Sequence, residues 1–359
     1  MNRILMFIMA AGAVVGGIDR ILGNRWGYGE KFEEGFQLLG STALSMVGMI
    51  CLAPVLADTF GKAVIPFYKL LGVDPGMFGS LLAIDMGGYQ LAQELAVNPL
   101  IGCYAGIVAA SIFGCTVVFT IPVGMGMIRQ EDQACFARGI MTGLVTIPVG
   151  LLVGGVLAGI SVEVCIWQNL PVFVLALLLM LGLWRMPEKM IYGFCTFARG
   201  IRFMITVGLV LGAIEYLCGL QILKGMTPIT EAMEIVAAIG IVMLGSLPVT
   251  EFLQRILKKP LQILGARVGI NAAGMTGLLV GAVSAIPALS MYQDMDEKGK
   301  IVNAAFLVSA ASMLAAHIGF TFSTEPQLLG ALIGAKLSGG IAAVLMVLMI
   351  EIDFPKGRD

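Results

Sequence analysis

Nine runs of roughly 20 apolar residues, each bounded by charged side chains, leave this chain few folds to choose from. They cover residues 4–18, 36–57, 100–128, 139–160, 164–184, 203–223, 231–250, 301–323 and 327–350. As an α-helix, a run of that length crosses the ~30 Å hydrocarbon layer of a bilayer. Composition removes a soluble reading of the same runs. Charged residues make up 13% of the 359 positions, about half the usual ~25%, while hydrophobic residues reach 58%. Too few charged side chains exist to cover that much apolar surface in water. A net charge of −1 with no basic block gives nucleic acid nothing to hold. The expected fold is an all-α polytopic membrane protein, with the lipid bilayer as its surroundings.

Two further segments, 76–95 and 270–293, are long enough to span but differ in kind. The first carries Asp85, Gln90, Gln93 and Glu94 around the pair Gly87-Gly88. The second is rich in small residues and interrupted at Gly281-Ala282-Val283-Ser284-Ala285-Ile286-Pro287. Each follows a short amphipathic stretch that begins at a proline, Pro66 or Pro260. Polar segments broken by Gly and Pro mark discontinuous or re-entrant elements.

The chain also repeats itself. Asp19 and Gly23 match Glu215 and Gly219 at an offset of 196, and Pro54, Pro66 and Leu70 match Pro248, Pro260 and Leu264 at 194. Gly72-Val73-Asp74 and Leu81-Leu82 match Gly269-Ile270-Asn271 and Leu278-Leu279 at 197, and Phe119-Thr120 matches Phe320-Thr321 at 201. The order holds over more than 100 residues, which argues for a duplication. A first repeat then covers 1–160, a connecting helix and loop 161–195, a second repeat 196–350, and a polar tail 351–359. The match pairs 4–18 with 203–223. The N-terminal run, which also has the outline of a signal peptide, therefore reads as an uncleaved first helix.

Charge placement separates two topologies. If both odd segments cross, eleven spans divide Lys and Arg 13 to 8 between the two sides; if both re-enter, nine spans divide them 17 to 4. The nine-span arrangement obeys the positive-inside rule better. It puts the C-terminus in the cytoplasm and the N-terminus outside. The connecting span then inverts the second repeat relative to the first.

Ionisable groups at membrane depth are costly unless paired or wet, so each marks a candidate site. Asp85 stands first, in Ala83-Ile84-Asp85-Met86-Gly87-Gly88-Tyr89-Gln90-Leu91-Ala92-Gln93-Glu94. A carboxylate beside the Tyr89 ring suits an ammonium through ion pairing and cation–π attraction. Gly87 and Gly88 can break a helix and free carbonyls, and Gln90 supplies an amide. Glu94 reads either as a site acid or as a side chain reaching an interface. His317 reads as a proton relay or as a structural histidine. Glu94 and His317 are thus the two candidates for proton coupling. Glu215 and its match Asp19 look interfacial, and Lys336 is expected to neutralise a buried carboxylate or a helix end. Ser284, Ser309, Ser312 and Thr321 can line a pathway with hydroxyls.

The seven cysteines, mostly inside apolar runs and never spaced CxxC, form no zinc pattern with the single histidine and read as small apolar packers. No Walker A or dinucleotide-binding glycine pattern occurs, and Asp294-Met295-Asp296-Glu297 lacks the spacing of a metal loop. No metal, cofactor or catalytic residue is expected. The longest loops, roughly 18–20 residues, are too short for a signalling domain. Transport is favoured over an enzyme or a sensor.

Several strings resemble one family over nearly the whole chain. They are Asp85-Met86-Gly87-Gly88-Tyr89, Ile18-Asp19-Arg20-Ile21-Leu22-Gly23-Asn24, Lys31-Phe32-Glu33-Glu34-Gly35-Phe36 and Leu52-Ala53-Pro54-Val55-Leu56-Ala57. Met186-Pro187-Glu188-Lys189-Met190-Ile191, Met295-Asp296-Glu297-Lys298-Gly299-Lys300 and His317-Ile318-Gly319-Phe320 complete the set. Together they resemble the EutH family of bacterial ethanolamine utilisation membrane proteins. The resemblance implies ethanolamine uptake across a bacterial inner membrane. Two positions depart from the family pattern: Ser284-Ala285 replace paired asparagines, and Ala316 replaces an aspartate before His317. They leave open a carrier or channel for another small amine or amino acid. Homo-oligomerisation is compatible with such a chain.

The expected arrangement is a carrier working by alternating access. Asp85 holds the ammonium, Tyr89 covers it, and Gln90 or Ser284 binds the hydroxyl. The nine-span topology predicts that single cysteines in the loops at Pro99 and Lys298 label from opposite sides of the membrane. Labelling from one side would refute it.

Overall fold

The computed structural model describes residues 2–81 and 88–352. Asp85 and Gly87 lie outside these residues. Every element described is helical, and no strand occurs among the described residues. Among the described residues seven helices are long and apolar enough to cross a membrane, eight if the pair Val162–Gln168 and Leu170–Arg185, bent by 52°, counts as one.

In chain order the helices are α1 (Asn2–Ile21), α2 (Tyr28–Leu70), α3 (Gly88–Leu95), α4 (Pro99–Met127), α5 (Gln133–Leu157), α6 (Val162–Gln168) and α7 (Leu170–Arg185). The rest are α8 (Pro187–Cys218), α9 (Ile229–Val268), α10 (Ala272–Val283), α11 (Ala285–Ser290), α12 (Glu297–Thr324) and α13 (Leu329–Ile352). Each apolar run read from the sequence falls on one of these helices or on the bent pair. Neither 76–95 nor 270–293 forms a long helix. The first opens with a 3-10 turn, Pro75–Ser80, and ends in α3; the second is split by Ser284 into α10 and α11.

α2 and α9 are too long for a bilayer: 43 and 40 residues at ~1.5 Å rise give about 60 Å or more. Each carries two internal prolines, Pro54 and Pro66 or Pro248 and Pro260. Charges bound the apolar stretch on both sides: Glu30, Lys31, Glu33 and Glu34 precede it in α2 and Asp58, Lys62 and Lys69 follow Pro54, while in α9 Glu231 and Glu234 precede it and Glu251, Arg255, Lys258, Lys259 and Arg267 follow Pro248. The apolar part before the proline is the part fitted to lipid, and the amphipathic stretches read at Pro66 and Pro260 are continuations of these helices.

Small residues set the helix crossings, as they must where lipid is as apolar as leucine. Gly12 and Gly16 of α1 lie against Gly245 and Pro248 of α9; a Cβ at Gly12 would overlap the Gly245 carbonyl. Gly208 and Gly212 of α8 lie against Gly48 and Cys51 of α2; a Cβ at Gly208 would overlap the Gly48 carbonyl. The two Gly-x-x-x-Gly pairs stand 196 residues apart, the offset already read from Asp19 and Glu215. α1 runs parallel to α9 and α8 parallel to α2. α2 and α9 run antiparallel, since Gly35 meets Met243, Gly240 meets Leu39, and Arg255 stacks over the Tyr28 ring at 4.7 Å. Hence α1 and α8 point in opposite directions.

Matched hairpins follow the two long helices. The chain leaves α2 through Gly72 and α9 through Gly269, both at positive φ (67° and 73°). A polar residue then starts each hairpin. The Asp74 carboxylate accepts the amides of Gly76 (2.8 Å) and Asn98 (2.8 Å), closing the base of 75–95. Asn271 accepts from Gly274 N (2.8 Å), and its own amide donates to Asp296 (3.0 Å), closing the base of 272–296. Following the chain through the spans puts these closures at opposite ends of the bundle. The end with the second hairpin also holds the ion pairs Arg20–Glu33 (2.7 Å), Arg255–Glu251 (2.7 Å), Lys300–Asp132 (2.6 Å) and Arg138–Glu297 (3.6 Å).

Asp19 does more than lie at an interface. It is buried, and its carboxylate accepts the amides of Trp26 (2.9 Å), Tyr28 (2.8 Å) and Gly29 (2.9 Å), which cap α2. Glu215 is half-buried and accepts from Gln221 (3.2 Å).

The glycine crossings give a test. Gly208→Leu should lower the melting midpoint of the purified protein by an amount set by overpacking, about 1–3 kcal/mol. Gly193→Leu, on the same helix but with open space around it, should leave the midpoint in place.

Candidate functional site

α4 and α12 are the two spans that lose the regular helical ladder inside the bundle. α4 winds into π turns over Ala105–Gly114 and Thr116–Thr120. α12 stops at Ala310, extends at Ala311, turns left-handed at Ser312 (φ 54°) and resumes with a π turn over Met313–His317. Such departures from α geometry recur at functional sites, because they aim side chains and free backbone groups. Both spans are 78% buried over their apolar core, more than the other candidate spans.

The charged cluster of the site forms where α3 meets the start of α4 and the end of α12. Tyr89, the second residue of α3, packs its backbone and ring against Gly106, where a Cβ would not fit. Its hydroxyl donates to Glu325 Oε1 at 2.8 Å, across 236 residues of sequence. Its ring meets Phe320 edge to face, with centroids 5.6 Å apart. Cys103 also donates its thiol to Glu325 Oε1 (3.3 Å), and Gln93 Nε2 donates to Cys103 Sγ (2.9 Å). Gln327 donates to Glu325 Oε2. Glu325 is thus a half-buried carboxylate oriented by neutral donors, and no cation pairs with it among the described residues. Neutral donors orient the charge without cancelling it. What remains is a negative centre beside two aromatic rings, chemistry that suits a small organic cation.

The residues expected from the sequence divide as follows. Tyr89 is in the cluster. Gly88 is buried at the start of α3, and Gln90 is half-buried with its amide oxygen unpartnered. Glu94 is exposed on the outer face of α3 and contributes no bond to Glu325. Ser284 lies in the other hairpin, extended between α10 and α11, with its amide donating to Val280 O (2.8 Å). Nearby, the Gly281 carbonyl accepts the amide of Ser312 (3.0 Å), which docks this hairpin on the break in α12. His317 is fully buried at the end of the α12 π turn, with the Ala311 backbone as its polar neighbour. Thr321 is buried with an unpartnered hydroxyl, and so is Thr120, its match in the first repeat. Ser309 and Ser246 share that condition. Lys336 is fully buried and meets helix-end carbonyls, one of the two roles expected of it.

Two residues escape the sequence reading. Glu325 sits between two apolar runs, where an acid before a proline looks like a loop residue. Cys103 does not fit the reading of all seven cysteines as apolar packers, since its thiol bridges an amide and a carboxylate. The available signal was the string Glu325-Pro326 breaking an otherwise apolar stretch from 301 to 350. No cluster of metal-ligating side chains occurs among the described residues.

Comparison with known proteins identifies the family. The family described as "Ethanolamine utilisation protein, EutH" matches residues 1–350. The chain is 45% identical over 345 residues to the "Probable ethanolamine permease EutH" of Listeria monocytogenes, covering 96% of this chain and 92% of that protein. It is 36% identical over 388 residues to the protein of the same name in Salmonella typhimurium, covering 97% and 95%. It is 39% identical over 344 residues to "Uncharacterized protein YxeR" of Bacillus subtilis, covering 95% and 93%. No solved structure matches. On the family match and these identities, the chain belongs to the EutH family of ethanolamine utilisation proteins.

Proposed function

We propose that this protein carries ethanolamine, as its ammonium cation, across the bacterial inner membrane by alternating access. The observation that carries the reading is the Glu325 carboxylate, held by Tyr89, Cys103 and Gln327, flanked by the Tyr89 and Phe320 rings and lacking a cationic partner among the described residues. An alkylammonium is protonated at neutral pH, as lysine is. Such a cation gains an ion pair and aromatic contact there. The permease names of relatives at 36% and 45% identity support the same substrate.

In this reading Glu325 and Tyr89 form the outward-facing ammonium site, and Asp85 is a second candidate acid for the ammonium. Gln90 or Ser284 binds the hydroxyl, Gly87 and Gly88 are candidate backbone contacts, and Glu94 and His317 are the candidates for proton coupling. Nine crossings follow if α1, twenty residues long, joins the seven long helices and the bent pair. An inverted repeat is supported by the opposed directions of α1 and α8 and by the matched hairpin closures at Asp74 and Asn271. The ion-paired end is then cytoplasmic, and with it the C-terminus. No enzymatic step is involved.

Uptake of radiolabelled ethanolamine into proteoliposomes at low external pH tests the function, because passive entry of the neutral amine is then smallest. Saturable uptake competed by unlabelled ethanolamine is expected; none by folded protein would redirect the assignment to another amine. Glu325→Gln should raise the half-saturating concentration about tenfold or more, the cost of one charge-assisted partner. Tyr89→Phe keeps the ring and loses one neutral donor, so a shift of only about two- to tenfold is expected. Asp85→Asn should abolish uptake while the protein still inserts, measured by the same assay on protein of equal yield.

A further inference from the structure

The two interrupted spans meet at their interruptions. Thr116 Oγ1 of α4 donates to the Val308 carbonyl of α12 at 2.7 Å. Beside that bond, the Lys336 ammonium of α13 donates to three backbone carbonyls: Ser111 (2.8 Å), Ala311 (3.0 Å) and Ser309 (3.1 Å). Ser111 belongs to the π-wound part of α4, while Ser309 and Ala311 flank the break in α12. Ser111 and Ser309 are 198 residues apart, within the 197–201 offsets that relate the two halves on either side of them. One ammonium therefore binds equivalent carbonyls of both halves, and it is fully buried.

Where a helix leaves α geometry, the pairing of its carbonyl oxygens with its own amides is disturbed. Water is absent from the hydrocarbon core, so a cation or a donor must be supplied. Carriers built on broken helices commonly give such carbonyls a free alkali ion. Here three converging oxygens from two spans already hold a positive charge that is covalently attached to a third.

We propose that Lys336 is the tethered counterpart of a coupling cation. Its ammonium fills the carbonyl-lined position at the crossing of α4 and α12, so that the crossing closes without sodium or potassium. Lys336 is a positioning residue in this scheme and does not contact the amine. The inference does not depend on which amine is carried, only on the crossing being part of the working molecule.

The test uses the purified full chain in sodium, potassium and magnesium chloride at equal ionic strength, magnesium being too strongly hydrated to enter a bare carbonyl site, and reads both the melting midpoint and amine uptake. The natural protein should give the same values in all three salts. Lys336→Ala vacates the position. Its melting midpoint and uptake should fall in magnesium, uptake by about tenfold or more, and should recover in part when sodium or potassium is added. Recovery by a small inorganic ion is a response that a merely structural lysine would not produce. Sodium-stimulated uptake or melting of the natural protein would overturn the proposal. So would a Lys336→Ala protein whose values are equally low, or equally normal, in every salt. Failure of the ethanolamine reading would appear separately, as absent uptake by the natural protein with its melting midpoint still independent of the salt.

Discussion

Backbone carbonyls at membrane depth have no water to bond, and two spans of this protein break their own ladders there. The rest of the structure is arranged around that debt. Lys336 reaches from α13 to carbonyls on both spans, Thr116 ties α4 to Val308, and the Gly281 carbonyl of the second hairpin takes the Ser312 amide. These bonds join four elements at one place, where apolar surface could not choose a register because lipid competes on equal terms. The candidate substrate cluster sits at the ends of the same two spans, with Cys103 near the start of α4 and Glu325 just past the end of α12.

Close approach of backbones supplies what hydrogen bonding does not. At Gly12 with Gly245, and at Gly208 with Gly48, no side chain separates the helices, so dispersion between main chains replaces the hydrophobic drive available in water. The two crossings are alike, each joining a helix to a longer one through paired glycines, α1 to α9 and α8 to α2. The hairpins repeat in the same way, each entered through a left-handed glycine and shut by a capping polar residue at its base. Capping residues at the hairpin bases satisfy terminal amides of short segments that no long helix continues.

Much of this was legible in the residues. Apolar runs gave the helices because a bilayer imposes one length on any crossing. Glycines and prolines marked the two hairpins, and Gly72 with Gly269 and Asp74 with Asn271 turned out to be matched in conformation as well as in sequence. Tyr89 was legible as a polar aromatic at membrane depth. Glu325 was not, because its meaning depends on Tyr89, more than 200 residues away, and nothing local distinguishes it from a loop acid. Cys103 escaped for a related reason: a thiol reads as a packer until an amide and a carboxylate are placed on either side of it. The Gly-x-x-x-Gly pairs lay in plain view, but their partners on α9 and α2 could be found only once the helices were packed. Asp19 looked interfacial beside Arg20, yet its three amide partners follow from a turn that brings the start of α2 back onto the end of α1.

The sequence by itself determined the class, where the apolar helices lie, and that 270–293 is interrupted. Those properties rest on hydropathy and on backbone preferences, which act within about twenty residues. Tertiary structure alone decided which carboxylate stands beside an aromatic pair, which carbonyls a buried lysine binds, and which way the matched helices run relative to each other. These are properties of pairs. A local chemical preference cannot specify them, because each residue's partner is chosen by the packing of the whole bundle.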